Sequence, residues 1–524
     1  MAKNHKTHKY HVQQRTERRI SAALRLVMVA VLLLAQIGVV FLLSFFLRQY
    51  MAVAYTLLEL LSAIIAVCIW ARPGATSYKI GWIMLVLFVP VVGVILYLLW
   101  NGSRQSKRLD LKPLPLPEEP IAQQEHSKLQ LEKLRQAMPN WHPVAAKLHR
   151  KGFQLYRGTT AQYLPSGEAY LEDMLLRLED AQRFIFLEYF IAGEGQVWDR
   201  LSDVLCRKSR QGVEVKLIFD DFGCMLRLSN EQLERLQDAG VEVKLFNPVH
   251  HYVNRLYFNY RDHRKITCID GDVAYTGGVN LADEYANLIV RFGYWKDCGV
   301  RLEGEGAWGL TRQFIHFWER MGGQLHFKRD YYRPVHSAPS AQGFLQTVVD
   351  GPDDNPDAPA EDLFLQLISR ARQSVCITTP YLAVDEPMMK ALCLAGDSGV
   401  DVRLLMPGIP DHKFAYLVAE SYFDELLEHN VKIYTFTPGL LHGKTALADR
   451  EVAFVGSVNM DYRSFQLHFE CGEVLYGAPA IESLLEDMDS ITAKSQPMTK
   501  ERMAQRPFWR RALGTVLRLF AMWM

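Results

Sequence analysis

A chain of 524 residues with 49% hydrophobic content has room for two or three domains, and its net charge of +1 offers no global positive field. Nucleic acid is therefore disfavoured as a partner. Eight cysteines are scattered without a C-x-x-C pair or a zinc-like spacing, so buried free thiols and a reducing compartment are expected rather than a metal finger.

Taken in order, residues 1–25 form a basic tail carrying Lys3, Lys6, Lys9, Arg15, Arg18, Arg19 and Arg25. The apolar run 26–46 that follows is too long for a signal peptide and long enough to span a bilayer, which takes about 20 residues. Two more apolar runs, 51–70 and 80–100, complete a region 26–100 read as three transmembrane helices. The second contains Glu59, expected near an interface or facing the bundle, and the third contains Pro90 and Gly93. Three full crossings would place the basic tail and the basic cluster Arg104, Lys107, Arg108 and Lys112 on opposite sides. Both clusters favour the inside. The conflict disappears if one segment is re-entrant, which Pro90 permits. Residues 101–125, with Pro113, Pro115, Pro117 and Pro120, read as a stiff tether.

From residue 152 the pattern becomes α/β. Strand patterns at 185–191, 213–219 and 241–246 alternate with helical periodicity at 197–212 and 228–239, which implies βαβ units. The same order returns with strands at 374–379, 400–406 and 431–436 and helices at 361–372, 387–398 and 414–429. Two α/β lobes are expected, 126–340 and 341–490, joined within the Pro- and Asp-rich stretch 337–360. Residues 499–524 mix Arg with Trp, Phe and Leu and read as an amphipathic helix lying in a membrane interface.

Each lobe carries one copy of H-x-K-x4-D-x6-G-[GS]-x-N. The first copy is His263, Lys265, Asp270, Gly277, Gly278 and Asn280; the second is His442, Lys444, Asp449, Gly456, Ser457 and Asn459. On an extended chain, residues two apart share a face, so each copy offers an imidazole beside an ammonium. Two copies face to face make a pocket for a tetrahedral anion. One His attacks phosphorus and the other protonates the leaving oxygen, while Lys and Asn steady the charge. Asp270 and Asp449 lie five residues beyond their Lys, an odd offset that turns them away from substrate and suits a bracing role.

The duplicated motif and its flanks, 259–265 (Asn-Tyr-Arg-Asp-His-Arg-Lys), 277–285 (Gly-Gly-Val-Asn-Leu-Ala-Asp-Glu-Tyr) and 459–470 (Asn-Met-Asp-Tyr-Arg-Ser-Phe-Gln-Leu-His-Phe-Glu), resemble the phospholipase D superfamily and, within it, bacterial cardiolipin synthases. The resemblance implies duplicated phospholipase D-like lobes around one active site, preceded by membrane helices. It also implies a phosphohistidine mechanism with His263 as nucleophile and His442 as general acid. Glu470 stands at the family position that ties down the nucleophile's second ring nitrogen, and Asp297 is its first-half counterpart. His468 replaces the Asn usual before the Phe-Glu pair. The expected reaction joins two phosphatidylglycerol molecules into cardiolipin and glycerol at the inner membrane of a bacterium, the catalytic side being cytoplasmic. Phosphatidylglycerol and other anionic phospholipids are the expected partners. No cofactor or metal is expected. Arg264 and His251 are treated as solvated loop residues outside the site. The rival readings are a phospholipase D-type hydrolase and a catalytically dead membrane scaffold.

Overall fold

A computed structural model describes residues 51–72, 76–100, 111–112, 114–248, 260–352, 358–519 and 521, with isolated positions 31, 34 and 38. The described residues up to 100 belong to one compact unit, and residues 111–246 with 260–518 form another.

The first unit holds helices α1 (Met51–Trp70), α2 (Thr76–Phe88) and α3 (Pro90–Trp100). The expected span 26–46 lies outside the described residues save for three helical positions. α1 reproduces the extent of the second span and carries Glu59 on its exposed face. The third is not one helix. Pro90 has no N–H to donate, its ring crowds the preceding turn, and it biases Val89 away from helical backbone. The chain folds back there, so that Trp82 and Tyr97, on opposite arms, meet with ring centroids 5.5 Å apart. Among the described residues no helix is long and apolar enough to cross a membrane.

The second unit contains both lobes. In the first lobe the strands are β1 (Thr159–Leu164), β2 (Phe184–Tyr189), β3 (Glu214–Asp220), β4 (Glu242–Phe246), β5 (Lys265–Ile269), β6 (Val273–Gly277), β7 (Tyr294–Lys296) and β8 (Gly299–Gly304). Seven of them form a sheet in the order β1-β8-β6-β5-β2-β3-β4. β2, β3 and β4 run parallel through the expected crossover helices Gln196–Arg210 and Asn230–Asp238. The other half of the sheet is antiparallel. β5 pairs antiparallel with β2, and the link 270–272, far too short for a crossover, closes a hairpin between β5 and β6. Burying Trp198, Leu201, Leu205, Leu217 and Phe219 on one side of this sheet builds its core.

The second lobe repeats the plan with β9 (Phe344–Asp350), β10 (Ser374–Thr378), β11 (Leu382–Ala383), β12 (Asp401–Pro407), β13 (Lys432–Phe436), β14 (Gly439–Leu441), β15 (Thr445–Ala448), β16 (Val452–Gly456), β17 (Met460–Asp461), β18 (Glu470–Tyr476) and β19 (Ser495–Met498). Its main sheet is ordered β19-β13-β12-β10-β15-β16-β18-β9, with β10, β12 and β13 parallel. Apart from the extra edge strand β19, this is the first sheet again. Residues 141–156, expected in the first lobe, reach the second: Trp141 Nε1 donates to Glu451 at 2.6 Å, and Tyr156 bridges Leu345.

The tail packs on the second lobe. Helix α4 (Lys413–Glu428) receives helix α5 (Phe508–Arg518) along its side. Arg510 pairs with Glu420 at 2.9 Å, Arg518 stands 4.0 Å over the Tyr422 ring, and Gly514 is buried against Leu417. Arg510 and Arg518 are thus used by acidic and aromatic partners on α4. Phe508 and Trp509 remain exposed on the other side.

Candidate active site

Both motif histidines sit just before the central hairpin of their own sheet, and in both cases the opposite lobe holds them. β14 runs parallel to β7, pairing Leu441 with Lys296, and the His442 amide donates to the Lys296 carbonyl at 2.7 Å. On the pseudo-equivalent side Asp262 bridges Phe469, and the His263 amide donates to the Phe469 carbonyl at 2.9 Å. This backbone exchange places the residue after each bridging position, Asp297 after Lys296 and Glu470 after Phe469, under the opposite imidazole. His263 Nδ1 lies 3.0 and 3.1 Å from the two Glu470 oxygens, and His442 Nδ1 lies 2.6 Å from Asp297 Oδ2. A carboxylate at Nδ1 fixes the proton there and leaves Nε2 with a free lone pair.

The environment is dry and charged. His263 and His442 keep 8% and 6% of their surface, enough for a ring edge to meet a ligand, whereas Lys265 and Lys444 keep none. Burial drives the His263 imidazole down to about 3, with Lys265 adding to the effect and Glu470 opposing it. His442 is lowered by burial and then by Lys444. Burial likewise takes Lys265 down to about 7 and lowers Lys444. Burial alone would raise Glu470 and Asp297, but His263 and His468 beside Glu470, and His442 and Lys444 beside Asp297, outweigh it and hold both carboxyls low. Each Lys ammonium also donates to the carbonyl of the His two residues before it. Lys444 Nζ lies 2.9 Å from His442 Nδ1 as well. Among the described residues no ammonium makes the same contact with His263 Nδ1.

The Gly-Gly and Gly-Ser variants of the motif follow from the two carboxylates. A Cβ on Gly278 would collide with the Asp297 carboxylate, which is one methylene shorter than Glu and lies close to its own backbone. The longer Glu470 leaves room for Ser457, whose hydroxyl donates to it. Ser464 donates to the same carboxylate at 2.7 Å and accepts from the Asn459 amide at 3.1 Å. Glu470 thus gathers three donors.

The remaining motif residues fall on two sides of this arrangement. Asn280 accepts from the Ile191 amide at 3.1 Å and donates to Tyr285 at 2.8 Å, so one of its N–H groups is already used by the protein. Asn459 is buried, and its Oδ1 has no hydrogen-bond partner among the described residues. Asp270 and Asp449, placed with the catalytic motif by sequence, stand at the far ends of β5 and β15. Asp270 accepts from the amides of Gln182, Arg183 and Phe184, and Asp449 from those of Arg372, Gln373 and Ser374. Each ties the start of a neighbouring strand to its motif hairpin. Both have positive φ, 54° and 52°, as the tight hairpin turn requires. They brace the fold and do not touch the reacting groups.

Arg264 departs from its solvated expectation. It is wholly buried, 3.0 Å from Glu188 and 4.3 Å above the Phe317 ring, beneath the motif loop. His251 lies outside the described residues. Sequence reasoning missed Ser464, Tyr285 and Trp295; the last two place their rings 5.6 and 5.3 Å from His442. Aromatic residues in apolar surroundings carry no signal that separates a site wall from core. His468, whose ring lies 5.5 Å from His263, forms with His263 and Glu470 a buried group whose ligand atoms lie within 4.8 Å of one another. That spacing suits a metal ion and was not foreseen from sequence. The close Nδ1–carboxylate contacts of His263 are equally those of a hydrogen-bonded imidazole.

The cardiolipin synthase, PLD-like domain family model matches residues 175–289 and 364–492, one match per lobe, and the phospholipase D-nuclease N-terminal model matches 61–101. A cardiolipin synthase of Geobacillus kaustophilus (strain HTA426) is 35% identical over 87% of this chain and 91% of its own. Cardiolipin synthase 2 of Bacillus anthracis is 32% identical over 85% and 86%. Among solved structures, phosphatidylserine synthase of Haemophilus influenzae Rd KW20 superposes with a TM-score of 0.54 over 72% of this chain and all of that one, at 14% identity, which speaks to the fold alone. With both lobes matched and full-length relatives above 30% identity, the chain belongs to the cardiolipin synthase family and is a phosphatidyltransferase of the phospholipase D superfamily.

Proposed function

We propose that the protein joins two phosphatidylglycerol molecules into cardiolipin and glycerol through a phosphohistidine intermediate. The reciprocal pairing of each motif His with the other lobe's carboxylate is the observation that carries this reading. It supplies two oriented imidazoles, one to carry the phosphatidyl group and one to move the proton, between two buried ammonium groups.

In the first step His263 Nε2 attacks the phosphodiester phosphorus. The N–P bond forms, the P–O bond to the glycerol headgroup breaks, and His442 delivers a proton to the departing oxygen. In the second, His442 takes the proton from the terminal hydroxyl of another phosphatidylglycerol. That oxygen attacks phosphorus, the P–N bond breaks, and cardiolipin leaves. Lys265, Lys444 and Asn459 steady the extra charge on the phosphoryl oxygens. The role of nucleophile goes to His263 because Glu470 alone faces its Nδ1, whereas Lys444 competes with Asp297 for Nδ1 of His442.

The protein acts at the cytoplasmic membrane of a bacterium, with its catalytic unit on the cytoplasmic side. The match to the phospholipase D-nuclease N-terminal family supports this, as do Leu57, Leu60, Ile64 and Val67, all exposed along α1 where water would be a poor neighbour. The test is conversion of labelled phosphatidylglycerol in liposomes with chelator present, alongside His263→Ala and His442→Ala. Cardiolipin and glycerol from the wild type and neither from the variants is the expected result. Phosphatidic acid as the main product would make the protein a hydrolase.

A further inference from the structure

The segment 76–100 has the length of a transmembrane helix in sequence but is two antiparallel arms. Trp82 lies seven residues before the turn at Val89 and Tyr97 eight after it, yet their rings are 5.5 Å apart. In one straight helix the 15 residues between them would span about 22 Å. Nearer the turn, Gly93 packs on Leu85 so closely that a Cβ would collide with the Leu85 carbonyl, and Val86, Val92 and Leu96 are buried.

Charge and polarity are distributed lengthwise along this hairpin. Its tip is apolar, with Leu87 and Phe88 exposed, Phe88 to 74%. Its mouth is charged and aromatic: Lys79 reaches the Trp70 carbonyl at 3.4 Å, and Arg72 stands 5.6 Å over the Tyr97 ring. The tip also exposes few free backbone donors. The Val89 amide donates to Leu85 and the Gly93 amide to Val89, and Pro90 has no N–H. The arms, 13 and 11 residues long, measure about 20 and 17 Å. Neither crosses a hydrocarbon core of about 30 Å, but each suits roughly one leaflet of it.

We infer that residues 76–100 enter the bilayer as a re-entrant hairpin, with acyl chains around the Leu87–Phe88 tip and both ends of the segment on one membrane face. The inference rests on the membrane reading above. It removes the sequence conflict: a segment that returns to its own side does not force the basic clusters before and after the apolar region onto opposite faces.

The test uses full-length protein in sealed vesicles with Cys68→Ser, since Cys68 is the exposed native thiol among the described residues. Single cysteines are introduced as Ala75→Cys, Ser103→Cys or Phe88→Cys and challenged with an impermeant maleimide. Ala75→Cys and Ser103→Cys are expected to label from the same side, and Phe88→Cys only after detergent, although the protein itself leaves that position open. Labelling of 75 and 103 from opposite sides would show a full crossing and overturn the inference. Labelling of Phe88→Cys in intact vesicles would overturn it too, by placing the hairpin outside the lipid. Release of the protein by alkaline carbonate would instead remove the membrane reading, and the inference with it. A paired Trp82→Cys/Tyr97→Cys variant keeps the fold itself under test: a short bifunctional reagent links the two cysteines in a hairpin and cannot in a straight helix.

Discussion

Asp297→Asn isolates the cross-lobe orientation of His442 without changing shape. The native carboxylate lies 2.6 Å from His442 Nδ1, and both groups are buried. Asn keeps an acceptor oxygen but discards its charge. A charged hydrogen bond contributes about 1.5–3 kcal/mol, and this charge matters most when His442 carries its proton. At about 1.4 kcal/mol per factor of ten, the expected loss in the rate of cardiolipin formation is about 10- to 150-fold. Because Asp297 also opposes the lowering of Lys444, that ammonium should titrate lower still in the variant. The assay is the initial rate in phosphatidylglycerol vesicles, with the thermal midpoint as a control for folding. A loss under about threefold in a folded variant would refute the claim that the opposite lobe's carboxylate sets the acid–base competence of His442.

Other predictions follow from neighbouring contacts. Gly278→Ser, which imitates the second copy, pushes a side chain into Asp297 and should cost about a hundredfold or more in rate by displacing His442; Ser457→Gly removes one donor from Glu470 and should cost about tenfold or less. Lys265, brought down to about 7 by burial, is charged below that pH and neutral above it. Since its charge is what the phosphoryl oxygens need, kcat/KM should fall as pH rises through about 7, and Lys265→Arg should abolish that limb in a pH–rate profile. His263 stays neutral down to about 3, so no acidic limb from the free nucleophile should appear between pH 5 and 7. Asp449→Ala leaves three strand-starting amides without their acceptor and should lower stability by roughly 1–3 kcal/mol in thermal unfolding. The specific activity of the folded fraction should change only a few-fold. A selective collapse of kcat at unchanged stability would instead place Asp449 in the chemistry.

The parallel half of each sheet was legible because its strands are apolar, those at the centre of the first sheet being buried on both faces, and are separated by amphipathic helices, which makes both periodicities strong. Val213 to Phe219 and Val400 to Met406 differ from the observed strands by one residue at each end. The antiparallel half was not legible, since the short hairpin links carry no periodic signal and the pairing of β5 with β2 is set by tertiary packing. The histidines and lysines were visible through duplication. Their cross-lobe pairing was visible only through the resemblance, as no spacing within one copy reveals that Glu470 serves His263. The bracing role of Asp270 and Asp449 followed from an odd offset, although distance along the strand separates them from the site more than facing does. The packing of the tail was not legible because Arg mixed with Trp and Phe suits a lipid interface and an acidic helix groove equally well, and its partners Glu420 and Tyr422 lie on α4, far away in sequence. Pro90 marked a break, but only the Trp82–Tyr97 contact showed that the break is a reversal.

The central claim is that two cross-supported histidines divide one phosphatidyl transfer into two steps. Rapid acid-free quenching of the wild-type protein in the first turnover with phosphorus-labelled phosphatidylglycerol, followed by peptide mapping, tests it most directly. Label that is stable to base, lost in acid and confined to the peptide bearing His263 is the predicted result. Cardiolipin formed with no protein-bound label at any time, and no glycerol released before an acceptor binds, would contradict it.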